Sequence, residues 1–125
     1  MRTTLLLISL LVVLVRTEVA ESVSPFQCKY DGNQQEMNAC AFRDYEVADR
    51  TLNHTYKEVM SRLPEAKQRD LRQQQRAWLK KRDSQCWAEA KSSEGGSIWP
   101  LEYYGCLRST TERRTEELEG WRVKP

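Results

Sequence analysis

Hydrophobic positions recur with one period along most of the chain. Met37, Ala41, Tyr45, Ala48, Leu52, Tyr56, Val59 and Leu63 fall at spacings of three and four, which lines one face of an α-helix. Asn33-Gln34-Gln35-Glu36 stands just ahead of them. It has the pattern of a capping box, with Asn33 as N-cap and Glu36 reaching back. Pro64 stops this helix and suits the first turn of the next, where Glu65 favours the positive end of the dipole. The second helix is expected from about Glu65 to Lys91. Its apolar content is thin (Ala66, Leu71, Ala77, Trp78, Leu79, Cys86, Trp87, Ala90), and Gln73-Gln74-Gln75 interrupts it. Ser92 to Gly96 reads as a loop. A third helix, opening at Pro100 or Leu101, carries Leu107, Thr111, Arg114, Leu118 and Trp121 at the same spacing. No segment alternates as a strand does, and there is no internal repeat. Short connections make neighbouring helices antiparallel, so the expected fold is all-α, an antiparallel three-helix bundle.

The N-terminal pattern is different. Leu5 to Val15 is apolar apart from Ser9 and follows the positive Arg2. The run falls well short of the ~20 residues of a membrane-spanning helix and matches the hydrophobic region of a signal peptide. Ala20-Glu21-Ser22 places small residues where a signal peptidase reads, giving a signal peptide over residues 1–22 and a helical domain over 23–125. Cleavage after Ala20 is the rival, with Glu18 in an unfavourable place, and an uncleaved anchor is the bland alternative. The chain is thus expected to be exported, periplasmic or secreted. Pro25-Phe26-Gln27 ahead of Cys28 lack the small residues that precede a lipid-modified cysteine. The formal net charge of +2 describes a mixed surface, which argues against nucleic acid as a partner.

Four cysteines, Cys28, Cys40, Cys86 and Cys106, follow the export signal, and an even count there implies disulfides. Zinc would need closer pairs. Of the three possible pairings, Cys28–Cys40 and Cys86–Cys106 close the shortest loops. All four fall at one end of the expected bundle, so crossed pairings stay open.

Six polar residues, Asp49, Asn53, Gln75, Arg82, Asp83 and Arg114, lie on or near the apolar stripes. A buried arginine needs a carboxylate, so they are expected to form an internal network that fixes how the helices dock. A catalytic carboxylate pair of the glycosidase type is the sharper alternative, but arginine neighbours would lower a carboxyl pKa and not raise it. His54, the one histidine, has no nucleophile beside it and reads as a surface or boundary residue. Asn53-His54-Thr55 matches a glycosylation acceptor but is set aside because Asn53 is expected to face inward. Lys80-Lys81-Arg82 reads as a solvated helix face. The stretch Glu94 to Tyr104 joins Gly95-Gly96 to Ser97, Trp99, Tyr103 and Tyr104. Aromatics of this kind concentrate at binding hot spots, though they could equally fold back to cap the bundle. Nothing calls for an enzyme, a cofactor or a metal.

Several of these residues resemble one family. Glu36-Met37-Asn38, Cys40-Ala41, Ala48-Asp49, Leu52-Asn53 and Tyr56 are similar to the first half of the LprI-type lysozyme inhibitors of bacterial envelopes. Arg76-Ala77-Trp78, Arg82-Asp83, Cys86, Gly95-Gly96-Ser97-Ile98 and Cys106-Leu107 resemble the second half, and Thr111, Arg114 and Leu118 its tail. The resemblance implies a small helical, cysteine-paired envelope domain with lysozyme as its protein partner. Ser97, Trp99, Tyr103 and Tyr104 are then the expected contacts. A charge of +2 offers no general attraction for a basic lysozyme, so recognition would rest on a local acidic patch or an inserted loop. The alternative is a non-inhibitory protein that uses the same surface for peptidoglycan or a membrane complex.

Overall fold

The computed structural model describes residues 26–121; the expected signal peptide lies outside the described residues. Helix α1 spans Gln34–Arg62, α2 spans Glu65–Ala90 and α3 spans Trp99–Gly120, with a single 3-10 turn at Lys91–Ser93 after α2. Among the described residues there is no strand. The expected capping box is present: Asn33 Oδ1 accepts from Glu36 N at 3.0 Å, and Asn33 N donates to Glu36 Oε2 at 2.9 Å. At the other end of α1, the Gln68 side chain donates to the Met60 carbonyl at 2.8 Å, satisfying one of the acceptors that a helix end leaves open. Pro64 stands just outside α2, at the capping position with ψ 155°, instead of in its first turn. Its ring sets φ without committing the residue to helical ψ.

The helices run up, down, up. Asn38 meets Ser97, Asp44 meets Arg108, and Leu52 packs with Leu118, so α1 and α3 are parallel. Arg82 of α2 meets Asp49 of α1 and Thr111 of α3, so α2 is antiparallel to both. Leu52, Val59, Leu71 and Leu118 form the apolar centre, with Tyr56, Met60, Leu63, Trp78 and Trp121 around them. This core lies toward the α1–α2 turn. The opposite end is held differently, by sulfur and by rings.

The buried residues of α2 are Leu71, Gln75, Arg82, Cys86 and Ala90, a single file of which two are polar. Ala66, Ala77 and Leu79 face solvent. The thin apolar content of this helix is therefore thinner still where it counts.

Cys28 is joined to Cys40, tying the segment before α1 onto that helix, and Cys86 is joined to Cys106, tying the end of α2 to α3. The third helix opens earlier than expected. It begins at Trp99, with Pro100 in its first two positions and Glu102 in its first turn. A proline there has its φ already set for a helix, and the acidic residue complements the dipole. Trp99 and Tyr103 are therefore helical residues, four apart on one face with Leu107. The expected loop over 94–104 shrinks to 94–98. Within it Gly95 has φ +80°, a conformation that glycine reaches without steric cost.

The two disulfides span sequence separations of 12 and 20 residues. The chain-entropy relation gives each about 3 kcal/mol. Replacing either pair by alanine is expected to lower unfolding free energy by roughly that amount, measured by urea denaturation. A loss below about 1 kcal/mol for either pair would show that the unfolded chain is not what that bond restrains.

Candidate functional site

The disulfide end of the bundle carries a line of rings. Trp87 meets Trp99 edge-on at 5.3 Å between centroids, and Trp99 stacks on Tyr103 at 4.7 Å. Tyr103 meets Tyr104 at 5.4 Å, and Tyr104 meets Phe42 at 4.9 Å and Tyr45 at 5.9 Å. The line crosses from α2 over α3 to α1. Trp99, Tyr103 and Tyr104 are half-buried, while Trp87 and Ile98 keep 45% and 42% of their surface exposed. The rings thus close the bundle end and still show edges to solvent, so the two expectations for them are not exclusive.

Beside the rings, residues 91–98 form linked turns. Glu94 N donates to Lys91 O at 3.1 Å, Gly96 N to Ser93 O at 2.9 Å, and Trp99 N to Gly96 O at 3.3 Å. The Ser93 hydroxyl donates to the Glu102 carboxylate. Asn38 Nδ2 reaches across from α1 to the Ser97 carbonyl at 2.7 Å, and its own amide oxygen accepts from Gln34 at 2.8 Å. The turn is held from both sides while Ser97 and Ile98 remain exposed. Trp99 Nε1 is buried without a hydrogen-bond partner among the described residues.

The polar residues divide into two groups. Arg82, 6% exposed, donates through Nε to Asp83 at 3.0 Å and through Nη1 to Thr111 at 3.2 Å, and its Nη1 lies 3.6 Å from Asp49. Arg114 donates to Gln75 at 2.9 Å and to Glu117 at 2.9 Å. Trp78 lies between the groups, with the Arg82 and Arg114 guanidiniums 5.3 and 5.7 Å from its ring centre. One guanidinium bridges Asp49 and Asp83, which is the arrangement of a neutralised cluster and not of a free acid–base pair. Asn53 does not face inward. It is exposed and touches only the edge of this cluster, at 3.4 Å from Asp49. The inward places on that turn belong to Leu52 and Thr55; one residue past Leu52, the helix has already rotated by ~100°. The ground for setting aside the acceptor pattern therefore fails at Asn53, although Thr55 is buried. His54 is exposed, 3.3 Å from Glu58. Arg82 leaves the solvated run Lys80-Lys81-Arg82 because it lies on the same face as Trp78 and Cys86, whereas Lys80 and Lys81 are exposed.

Sequence reasoning missed Thr111 and Glu117 as partners of the two arginines, although the three-residue step from Arg114 to Glu117 is a helix-pair signal. It also missed a second polar group. Tyr30 donates to Asp44 at 2.8 Å, Arg43 donates to Tyr30 at 3.0 Å, and Arg108 lies 3.4 Å from Asp44. These residues straddle an open groove of about 420 Å³ between α1 and α3, lined also by Val47, Thr51 and Glu112. No periodicity announces Tyr30, which precedes the first helix. Among the described residues no group of His, Cys, Asp or Glu could hold a metal ion, and no helix is long and apolar enough to cross a membrane.

Comparison with known proteins adds to this geometry. A family model described as "Lysozyme inhibitor LprI" matches residues 27–118, from just before the first cysteine to the last core leucine of α3. An uncharacterized protein of Rhizobium meliloti (strain 1021) is 34% identical over 106 residues, covering 74% of this chain and 76% of that relative. No solved structure matches.

Two measurements test the interior of this end. Methionine at position 82 can fill the space between Tyr45 and Trp78 while Asp49 and Asp83 keep their access to water. Arg82→Ala is expected to cost about 2–4 kcal/mol, and Arg82→Met under about 1.5 kcal/mol; equal losses would show that charge pairing outweighs packing there. Burial raises the pKa of Tyr45, opposed by Arg82, and burial likewise raises that of Tyr103. The neutral phenols are thus favoured by folding. Their contribution is complete below the unfolded value near 10 and is lost as pH rises through the higher folded values. Melting temperature should fall above about pH 10, and less so in the Tyr45→Phe/Tyr103→Phe variant. Identical profiles would remove the assignment.

Proposed function

Because the chain belongs to the LprI lysozyme-inhibitor family, we propose that it is an exported protein that binds and inhibits lysozyme and so protects a bacterial cell wall. The family match over residues 27–118 carries this reading, and it spans both disulfides and the pinned turn. Export, to the periplasm or beyond, is supported by the paired cysteines and by the apolar run ahead of them. The proposed role is stoichiometric blockade and not catalysis.

Lysozymes hold a sugar chain in a groove with two carboxyl groups flanking the scissile bond. Blocking such a groove takes a projecting element that does not collapse on contact and that offers both hydrogen-bond groups and flat apolar surface. The turn at 94–98 suits this. It is anchored by Asn38, Ser93 and the Cys86–Cys106 bond, so little conformational freedom remains to be lost on binding. Ser97 would supply a hydroxyl, Trp99 and Tyr103 ring edges, and Ile98 an exposed apolar side chain. Tyr104, engaged by Phe42 and Tyr45, would support them from behind. Exposed Glu94 and Glu102 add the local negative charge that the chain as a whole lacks against a basic target.

The test is lysis of a cell-wall suspension by chicken-type, invertebrate-type and goose-type lysozymes, with and without the purified oxidised protein. Dose-dependent protection from at least one class is expected. Ser97→Ala/Trp99→Ala should weaken it by about tenfold or more, since hot-spot truncations cost about 2 kcal/mol. Full inhibition by that variant moves the contact elsewhere on the bundle. No protection and no calorimetric binding to any class would overturn the inhibitor reading in favour of a different envelope partner.

A further inference from the structure

The charge of this bundle is unevenly placed. Helix α2, Glu65–Ala90, holds seven Lys and Arg against four Asp and Glu, a balance of +3. Helix α1 holds four against five and α3 three against five, balances of −1 and −2. Of the seven α2 cations, Arg82 is buried and neutralised by Asp49 and Asp83, and Arg69 pairs with Glu65 at 3.3 Å. Lys67, Arg72, Arg76, Lys80 and Lys81 are exposed and form no ion pair among the described residues.

Four of the cations are aligned. At ~100° per residue, Arg69, Arg72, Arg76, Lys80 and Trp87 fall within roughly 80° of one another, turned away from Leu71, Gln75 and Arg82; two acids share the arc, Glu65 paired with Arg69 and Asp83 held by Arg82. The line from Arg69 to Trp87 is about 27 Å long at the helical rise. The face is open along Arg72, Arg76 and Lys80, and at its end the Trp87 ring meets Trp99 and Tyr103 of α3. It also carries apolar groups at its margin and end: Leu79 is 37% exposed and Trp87 45%.

We infer that the outer face of α2 is a docking surface for an anionic phospholipid bilayer, which the protein meets with α2 lying flat on the headgroups. Unpaired cations in a row are attracted by the negative potential of such a surface, each adding to the affinity. An exposed helix face matches a plane better than it matches a concave protein partner. Tryptophan at the end of the row has the amphipathic character that favours the bilayer interface, and Leu79 adds apolar area. A soluble polyanion would be served by the charges alone and gives no role to Leu79 or Trp87. The attachment is peripheral and reversible, and its cations are not among the residues assigned to lysozyme.

The test is co-sedimentation of the purified oxidised protein with vesicles of phosphatidylcholine and phosphatidylglycerol in equal parts, against vesicles of phosphatidylcholine alone. Binding is expected to the anionic vesicles only and to be reversed by high salt, because exposed charges are screened. Arg72→Gln/Arg76→Gln/Lys80→Gln, three exposed changes that leave the core untouched, should cut partitioning on the order of a hundredfold. Inhibition of lysozyme in solution should be the same for this variant and the parent, so a failed inhibitor reading and a failed membrane reading are told apart. Four outcomes overturn the proposal: no binding to anionic vesicles, equal binding to both vesicle types, undiminished binding of the triple variant, or binding to soluble dextran sulfate but not to vesicles. Concentration-dependent dimerisation abolished by the triple variant would also overturn it, by assigning the face to a second copy.

Discussion

The guanidinium of Arg82 is the point at which all three helices meet. It touches Asp49 of α1, Asp83 of α2 and Thr111 of α3, and it lies over the rings of Tyr45 and Trp78. A charge so deeply buried is tolerated only when its partners are in place, and here the partners come from every element. Helix α2 depends on this most. Its inward file has only Leu71, Cys86 and Ala90 as apolar members, so the hydrophobic effect alone gives it little reason to choose one rotation against α1 and α3. Arg82 and Arg114 supply the choice. Each has a fork of donors that holds one acceptor on its own helix and reaches others across, Asp49 and Thr111 for Arg82 and Gln75 for Arg114, and Trp78 fills the space between them.

This division of labour explains why the two ends of the bundle differ. Toward the α1–α2 turn, Leu52, Val59, Leu71 and Leu118 close a conventional apolar core. Toward the other end α2 contributes Cys86 and Ala90, which are too small to fill the space. Rings from α3 and a sulfur bridge take over. Trp99 and Tyr103 cover the gap, and Cys86–Cys106 holds α2 and α3 at a distance that the side chains there would not set. A surface closed in this way is rigid but not sealed, so ring edges stay in contact with solvent.

Much of this was legible from the sequence where local rules act alone. The Asn33 to Glu36 box, the stop at Pro64 and the three-four spacing of α1 each follow from interactions within a few residues, and helix α1 runs as those rules require. Pro100 reads as opening α3, and the helix starts one residue earlier; what that reading misses is that Trp99 and Tyr103, grouped with Gly95-Gly96 as loop composition, belong to its first turns. Asn53 was placed inward because it lies four residues from Asp49, yet Asp49 itself is on the boundary. The arginine partners Thr111 and Glu117 were missed differently. The Thr111 hydroxyl on α3 becomes a ligand of Arg82 only through the rotation of α3 against α2, which periodicity does not encode, whereas Glu117 lies one turn from Arg114 on the same helix and was open to a local rule. Tyr30 was hidden for a different reason, since it precedes the first helix and the Cys28–Cys40 bond ties its segment onto α1 beside Asp44.

The thin core of α2 has a consequence for its outer face. A helix that spends its inward positions on Gln75, Arg82 and two small residues is free of the wide apolar stripe that would otherwise dictate its sequence. Solvent exposure then sets the opposite side, and a stable exposed helix needs only strong helix formers there, a role that Lys and Arg fill well. Acidic residues would fill it equally. Glu65 pairs with Arg69 and Asp83 with the buried Arg82, while Asp70 and Glu89 stand apart from the row, so self-neutralisation along the helix explains one of the row's cations and leaves three. Keeping like charges together on one face costs self-repulsion that alternating signs would avoid. A row of cations ending in an exposed tryptophan is better accounted for by something negative outside the chain than by any requirement of the fold.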